Sequence, residues 1–302
     1  MVSKPIYVRH SIDCGMEEIW EHTQDPDKHT EWDLRFSKIT YLPREEGEPQ
    51  RFLYKTNIGL GLSISGTGET AGEIHKATGE RVSSLKFWTA HPLSLIKEGR
   101  GYWKYTPDGK DVRFETQYDY ETNFGRVGEI FDRTLFRPLI GWATAWSFDV
   151  LKIWLEKGLH PKLVIRQSLT CCMISLLFFF VWLYQGLVPK LIFNHPDELS
   201  MLTSLIGNEM NPVTALRIVG ILEAVFAFVW IIPFRKKWLF AVHGLVLGLL
   251  TAAALIADPA SASHPFNPVT FNVSLMTLSA AGYINSRDLP SANRCKRKRK
   301  EQ

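Results

Sequence analysis

Apolar positions are spread unevenly along the 302 residues. Four long apolar stretches, at 167–188, 213–234, 238–257 and 266–285, crowd the C-terminal half, and the first 160 residues hold none. A hydrocarbon core of roughly 30 Å takes about 20 helical residues at about 1.5 Å rise each, so each stretch is read as a transmembrane helix. The clearest, QSLTCCMISLLFFFVWLYQGLV at 167–188, carries no charged side chain. The pattern predicts an all-α four-helix bundle over 161–288.

Upstream, the period changes. Residues 5–13 alternate as a strand does. Short helical pieces follow at 16–23 and 26–32, the second with Asp25 as N-cap and Pro26 in its first helical position. Strand-like runs occupy 38–42, 51–57, 63–74, 81–89, 99–106 and 111–123, with a Pro107-Asp108-Gly109 turn between the last two. The stretch 128–158 then sets Phe131, Leu135, Leu139, Trp142, Trp146, Val150 and Ile153 at helical spacing. Pro138 must kink that helix or start a second segment. A soluble domain over 1–160, a bundle over 161–288 and a basic tail over 289–302 are the expected divisions.

Charge adds orientation. Residues 1–165 carry 22 Lys and Arg against 24 Asp and Glu, and the remainder 13 against 7. Six of those 13 basic residues lie between Arg294 and Lys300, so the basic pI of 8.8 is a tail effect and no nucleic-acid partner is expected. Lys162 and Arg166 precede the first span, Arg235, Lys236 and Lys237 separate the second and third, and Arg287 plus the tail follow the fourth. The loops 194–211 and 258–265 hold Asp197, Glu198, Glu209 and Asp258 but no Lys or Arg. The positive-inside rule therefore places the N-domain and C-terminus in the cytoplasm of a multi-pass cell-membrane protein, in bacteria the inner membrane. Met1 to Asp13 is too short and polar for a cleavable signal peptide. Four cysteines, two of them adjacent at Cys171-Cys172, suggest neither a disulfide nor a metal framework, and those two read as small packing residues.

Catalytic chemistry is thinly marked, and no catalytic residue and no metal ligand set is assigned. Glu31-Trp32-Asp33 offers two carboxylates for general acid/base work, but a solvated helix end with one buried tryptophan is the reading adopted. His10, His22, His29, His75 and His91 lack metal-ligand spacing. The membrane half is more informative. Glu223 lies near the middle of the second span, where a bare charge costs at least about 2.5 kcal/mol. It is either a neutral hydrogen-bonding group inside the bundle or a ligand or proton site. Arg217 reaches the outer interface, Trp182 and Tyr184 read as interfacial anchors, and Lys190 reads as the outer boundary of the first span. Asn272 and Ser274 should hydrogen-bond another helix. His243 lies one turn into the third span. Gly244, Gly248 and Ala252 form a small-residue stripe for close helix packing, within one chain or in a homo-oligomer.

The order strand, two short helices, antiparallel strands and long helix resembles the helix-grip fold of the START/Bet v 1-like (SRPBCC) superfamily over about residues 3–158. The resemblance implies an α+β domain whose curved antiparallel sheet wraps a long C-terminal helix and encloses a cavity for a small hydrophobic ligand. Trp32, Trp88, Trp103, Phe131, Leu139, Trp142 and Trp146 are the expected cavity residues. Over about 165–287 the chain resembles the DoxX-like family, through Trp182, Gly186 and Lys190 on the first span, Leu216, Arg217, Gly220 and Glu223 on the second, and His264-Pro-Phe-Asn267-Pro before the fourth. By position, Lys190, Arg217, Glu223, His264, Asn267 and Asn272 form the polar constellation to follow. The two resemblances imply a membrane-tethered binding module for a lipid-like or isoprenoid ligand, exchanged with the bundle or the bilayer lipids. Other readings are a redox subunit working on a quinone, the cofactor the DoxX resemblance allows, and a ligand-sensing scaffold. An enzyme is the less expected outcome.

Overall fold

The computed structural model describes residues 4–59, 61–207, 210–232, 236–265 and 267–299. Glu209, Phe234, Arg235, Phe266 and Lys300, all used in the sequence reading, lie outside the described residues. The chain divides into two units, one running to Val164 and resuming at Pro290, the other running from Ile165 to Leu289.

In the first unit the strands are β1 (Ile6–Ile12), β2 (Lys38–Tyr41), β3 (Arg51–Gly59), β4 (Leu62–His75), β5 (Arg81–Trp88), β6 (Ile96–Asp108) and β7 (Asp111–Thr122). They form one antiparallel sheet in the order β1-β7-β6-β5-β4-β3-β2. Helices α1 (Met16–Gln24) and α2 (Pro26–Trp32) fill the connection from β1 to β2. Asp25 caps α2, its side chain accepting from the backbone N–H groups of Asp27 and Lys28 at 2.9 Å each. After β7 come α3 (Gly125–Phe131), a wide π-helical turn (Asp132–Phe136) and α4 (Arg137–Lys157), with Pro138 in the first turn of α4. The proline thus starts a new segment, because its missing N–H is harmless there. Gly158, at φ 66°, ends α4 in the left-handed conformation that glycine adopts without strain. This is the helix-grip arrangement.

The core of this unit is aromatic. Trp32 is fully buried among Trp103, Phe114 and Phe148, and Phe114 stacks on Phe148 at 4.3 Å between centroids. The residues from Pro290 onward belong to the same unit and extend its sheet. Arg9 on the edge strand β1 and Lys296 exchange backbone hydrogen bonds of 2.9 Å in both directions. Ala292 and Cys295 enter the core, and the Cys295 thiol donates to the carbonyl of Ala145 at 3.2 Å. The stretch read as a free basic tail is therefore, as far as Lys296, a packed part of the domain.

In the second unit, α5 (Pro161–Gln185) runs into a π-helical segment (Gly186–Ile192) and is followed by α6 (Pro196–Ile206), α7 (Pro212–Val229), α8 (Lys237–Ala257) and α9 (Pro268–Asn285). Among the described residues, three helical stretches are long and apolar enough to cross a membrane: Pro161–Ile192, Pro212–Val229 and Lys237–Ala257. The expected fourth span is α9, a helix of 18 residues that is more polar, with Asn272, Ser274, Thr277 and Ser279. Phe178, Trp230 and Phe240 lie in the bundle core around His243. Gly282 leaves room for Phe240, whose ring a Cβ would meet at 2.4 Å. Gly244 and Gly248 face Ser279 and Met276 of α9 in the same chain, so these two stripe positions are already packed, and Ala252 alone stays exposed. The loop reading of 194–211 missed α6, although Pro196 at its start, Asp197 and Glu198 in its first turn and the spaced Met201 and Leu202 are helix signals.

Candidate functional site

The bundle holds an open cavity of about 650 Å³, walled by apolar side chains such as Leu202, Val219 and Leu250. Its polar lining includes Gln185 on α5, Lys190 on the π-helical segment, Glu198 on α6, Glu223 on α7, Asn267 just before α9 and Asn272 on it. Close backbone approach brings the charged groups together. A Cβ on Gly186 would lie 2.5 Å from the Gly220 carbonyl oxygen, and one on Gly220 would lie 2.8 Å from that of Gly186. Only glycine at both positions lets the two segments touch, which sets Lys190 against Glu223 one turn further on.

The π-helical segment turns Lys190 inward. Pro189 has no N–H to give to the carbonyl of Gln185, and the Lys190 ammonium reaches that oxygen at 3.4 Å instead. The same Nζ lies 3.4 Å from Oε1 of Glu198 and 3.0 Å from Oε2 of Glu223. The contact with Glu223 is an ion pair that is not aligned as a hydrogen bond, so Oε2 is shielded from solvent and accepts none. Lys190 is thus a buried member of a charge cluster and not the outer boundary of its span. Trp182 is no interfacial anchor either. It is buried, and its indole N–H donates to Nε2 of His243 at 2.8 Å. Nδ1 of His243 pairs with the Ser279 hydroxyl at 2.7 Å. Since Nε2 accepts, Nδ1 carries the proton and donates, and the Ser279 hydroxyl passes its own to the carbonyl of Leu275. This neutral imidazole ties three helices together, a role no spacing rule reveals.

Four of the six polar positions singled out in the sequence therefore line one cavity: Lys190, Glu223, Asn267 and Asn272. Asn272 donates to Thr251 on α8 at 2.9 Å, and Asn267 caps α9 by accepting from the N–H of Thr270 at 2.9 Å. Arg217 and His264 are exposed and stand outside the lining. Glu198, which belongs to the cluster, was visible in the sequence only as loop charge.

In the first unit the expected cavity residues part company. Trp32 and Trp103 are buried and Trp146 packs on the core. Trp88, Phe131, Leu139 and Trp142 are 40%, 47%, 54% and 42% exposed. The apolar repeat of 128–158 mixes two faces. The inner one carries Phe148 and Leu151, and the outer one carries Phe131, Leu139 and Trp142.

The Glu31-Trp32-Asp33 segment also differs from its sequence reading. Glu31 is half-buried and paired with Lys162 at 2.9 Å, while Asp33 is fully buried. Its carboxylate accepts from Arg35 through Nε at 2.9 Å and Nη2 at 2.5 Å, and it pairs with Nε2 of His29 at 3.0 Å. Burial opposes ionisation of Asp33, and the Arg35 guanidinium with His29 overcomes it, holding the carboxyl well below the usual carboxylate range. On acidification the unfolded chain protonates this residue first, so the stability it contributes is complete above the ordinary carboxylate pKa of about 4 and is lost as pH falls below it. Pulse proteolysis of the full-length protein in detergent at increasing urea should show a first-unit midpoint that falls between pH 5 and pH 3. Asp33→Asn should start lower and show a flatter profile. Equal slopes for the two proteins would remove Asp33 from the account.

The DoxX-like family profile matches residues 179–280. An uncharacterized membrane protein of Bacillus subtilis strain 168, YndG, is 42% identical over 307 residues, covering all of both chains. The chain belongs to the YndG family of membrane proteins. Among solved structures, a STAR-related lipid transfer protein fragment from Xanthomonas axonopodis aligns with 50% of this chain and 85% of its own, at 12% identity and a TM-score of 0.39. A START superfamily protein from Mycobacterium smegmatis aligns with 52% of this chain and 100% of its own, at 14% identity and a TM-score of 0.38.

Proposed function

We propose that this YndG-family membrane protein binds a lipid-like or isoprenoid molecule, with the head group seated at Lys190 and Glu223 in the bundle cavity. The observation that carries the reading is the cavity itself: about 650 Å³, mostly apolar walls and one charged corner, the composition typical of sites for small amphipathic ligands. The helix-grip unit, joined to α5 by the three residues 158–160, is proposed to take up or present the same class of molecule at the membrane surface.

Orientation belongs to the same proposal. The chain leaves the first unit at Val164 and rejoins it at Pro290, which supports an even number of crossings with both ends of the bundle on one side of the membrane. With three strongly apolar spans among the described residues, α9 is proposed as the fourth. Its hydroxyls suit that role, since Ser274, Thr277 and Ser279 donate to carbonyls of their own helix four residues back. The distribution of Lys and Arg favours the cytoplasm for the first unit and, in a bacterial cell, the inner membrane.

The test is lipid extraction from the full-length protein purified in nanodiscs, followed by mass spectrometry against empty nanodiscs. An isoprenoid or lipid should be enriched with the wild type and reduced roughly tenfold in Lys190→Met that retains its α-helical circular dichroism. Undiminished enrichment in the folded variant would take the site out of the bundle.

A further inference from the structure

Two carboxylates, Glu198 and Glu223, face a single ammonium, Lys190, so the charged corner of the cavity has an excess of negative charge. Lys190 gives hydrogen bonds to Gln185 and Glu198, while its ammonium lies 3.0 Å from Oε2 of Glu223 as an ion pair without an aligned hydrogen bond. A shielded carboxylate oxygen without an aligned hydrogen bond is costly, the more so when the group is charged. Of the donors lining the cavity, Asn267 gives an amide N–H to the His264 carbonyl, Asn272 gives one to Thr251, and the Trp182 N–H is given to His243. A hydrogen-bond donor on whatever occupies the cavity would satisfy Oε2 alongside the Lys190 ammonium.

We infer that the cavity selects amphiphiles whose head is a hydrogen-bond donor, a hydroxyl above all, over heads that are anionic or only accept. This rests on the binding reading proposed above and adds the class of head group. A hydroxyl gives its proton to Glu223 Oε2 and accepts from nothing it must displace. A phosphate or carboxylate meets the excess negative charge in a site of low dielectric, where like charges repel more strongly than in water. A ketone or an oxidised quinone ring brings only acceptors and leaves Oε2 as it was.

The experiment uses the full-length protein in nanodiscs and four probes that share one twenty-carbon isoprenoid tail: geranylgeraniol, geranylgeranylamine, geranylgeranylacetone and geranylgeranyl phosphate. Bound amounts are measured by mass spectrometry across a concentration series. The alcohol and the amine should bind at least tenfold more tightly than the ketone and the phosphate. In Glu223→Gln, which removes the charge and adds an amide donor, the phosphate and ketone should come within about threefold of the alcohol. Glu198→Gln, on the short helix α6, should narrow the gap for the phosphate alone and serves if Glu223→Gln does not fold. Phosphate or ketone binding the wild type as tightly as the alcohol overturns the donor rule while leaving a binding site in place. If the wild type retains none of the four, the binding reading fails, and the donor rule with it.

Discussion

Truncation after Leu289 should unfold the first unit far more readily than loss of an exposed basic tail would suggest. Asp149 is wholly buried on α4 and has three partners. Its Oδ1 pairs with Nε2 of His10 at 3.0 Å, and its Oδ2 accepts from the Ser291 N–H at 2.7 Å and from Arg294 at 2.8 Å. Deleting 290–302 removes two of the three and uncovers the pocket that Ala292 and Cys295 fill. Breaking a buried ion pair by removing one partner costs about 3–5 kcal/mol, which for a domain of this size lowers the melting temperature by roughly 10 °C. Pulse proteolysis of membranes carrying 1–289 or the full chain reads this difference directly. Arg294→Met should give an intermediate loss. An Asp149→Asn and Arg294→Met double variant should lose less than the sum of the two single changes, because each alone leaves its partner uncompensated. Protection of the truncated chain equal to that of the full one would mean the tail is only laid on the surface.

Cys295 offers an independent readout of the same packing. Burial, with Asp149 close by, pushes its thiol well above the usual cysteine range, so in a protein whose only cysteine is Cys295 it should resist maleimide until the tail is released. A fragment ending near residue 160 is for these reasons a poor stand-in for the first unit. Its binding properties are better studied in the full chain, or with 290–302 restored through a flexible linker.

Why the tail was misread is instructive. Arg294 to Lys300 is a dense basic run, and such runs are ordinarily solvated. What docks it is one aspartate 145 residues earlier and two backbone bonds to an edge strand, and neither leaves a local periodic trace. Elements set by local rules were legible: the Asp25 cap, the segment break at Pro138, the turn at Pro107-Asp108-Gly109, and each strand to within a few residues. The facing of side chains on α3 and α4 was not, because both sides of that stretch carry apolar residues and only the sheet decides which is inside. Asp33 was hidden for a related reason. A carboxylate at a helix end is normally wet, and its burial depends on Arg35 folding back over it and on Tyr118 stacking on that guanidinium at 5.4 Å. In the bundle, small and charged residues on different spans are conspicuous, so Lys190, Glu223, Gly186 and Gly220 were all noticed. The DoxX-like resemblance puts Lys190 and Glu223 in one polar constellation, but the way they meet has no local signal, since it requires the π-helical turn that Pro189 imposes on a span read as ending before it.

The second large effect should come from that meeting point. Lys190→Met leaves Glu198 and Glu223 facing each other across a mostly apolar cavity with no cation between them, and the bundle should lose about 3–5 kcal/mol or bind a proton to avoid it. Glu223→Gln alone leaves Lys190 paired with Glu198, so its cost should be smaller. The decisive comparison is the double variant Lys190→Met with Glu223→Gln, which removes both buried charges and keeps the volume. If the two groups stabilise mainly by neutralising each other, the double variant should recover at least 2 kcal/mol of the Lys190→Met loss, because replacing a buried pair by neutral groups of similar size is often nearly neutral. Unfolding of the bundle in detergent mixtures, followed by circular dichroism, measures all four corners of the cycle. A double variant as unstable as the sum of its parts would mean that Lys190 and Glu223 act separately. Lys190 would then be held chiefly by Gln185 and Glu198, and Glu223 would be free to answer to a ligand or a proton without it.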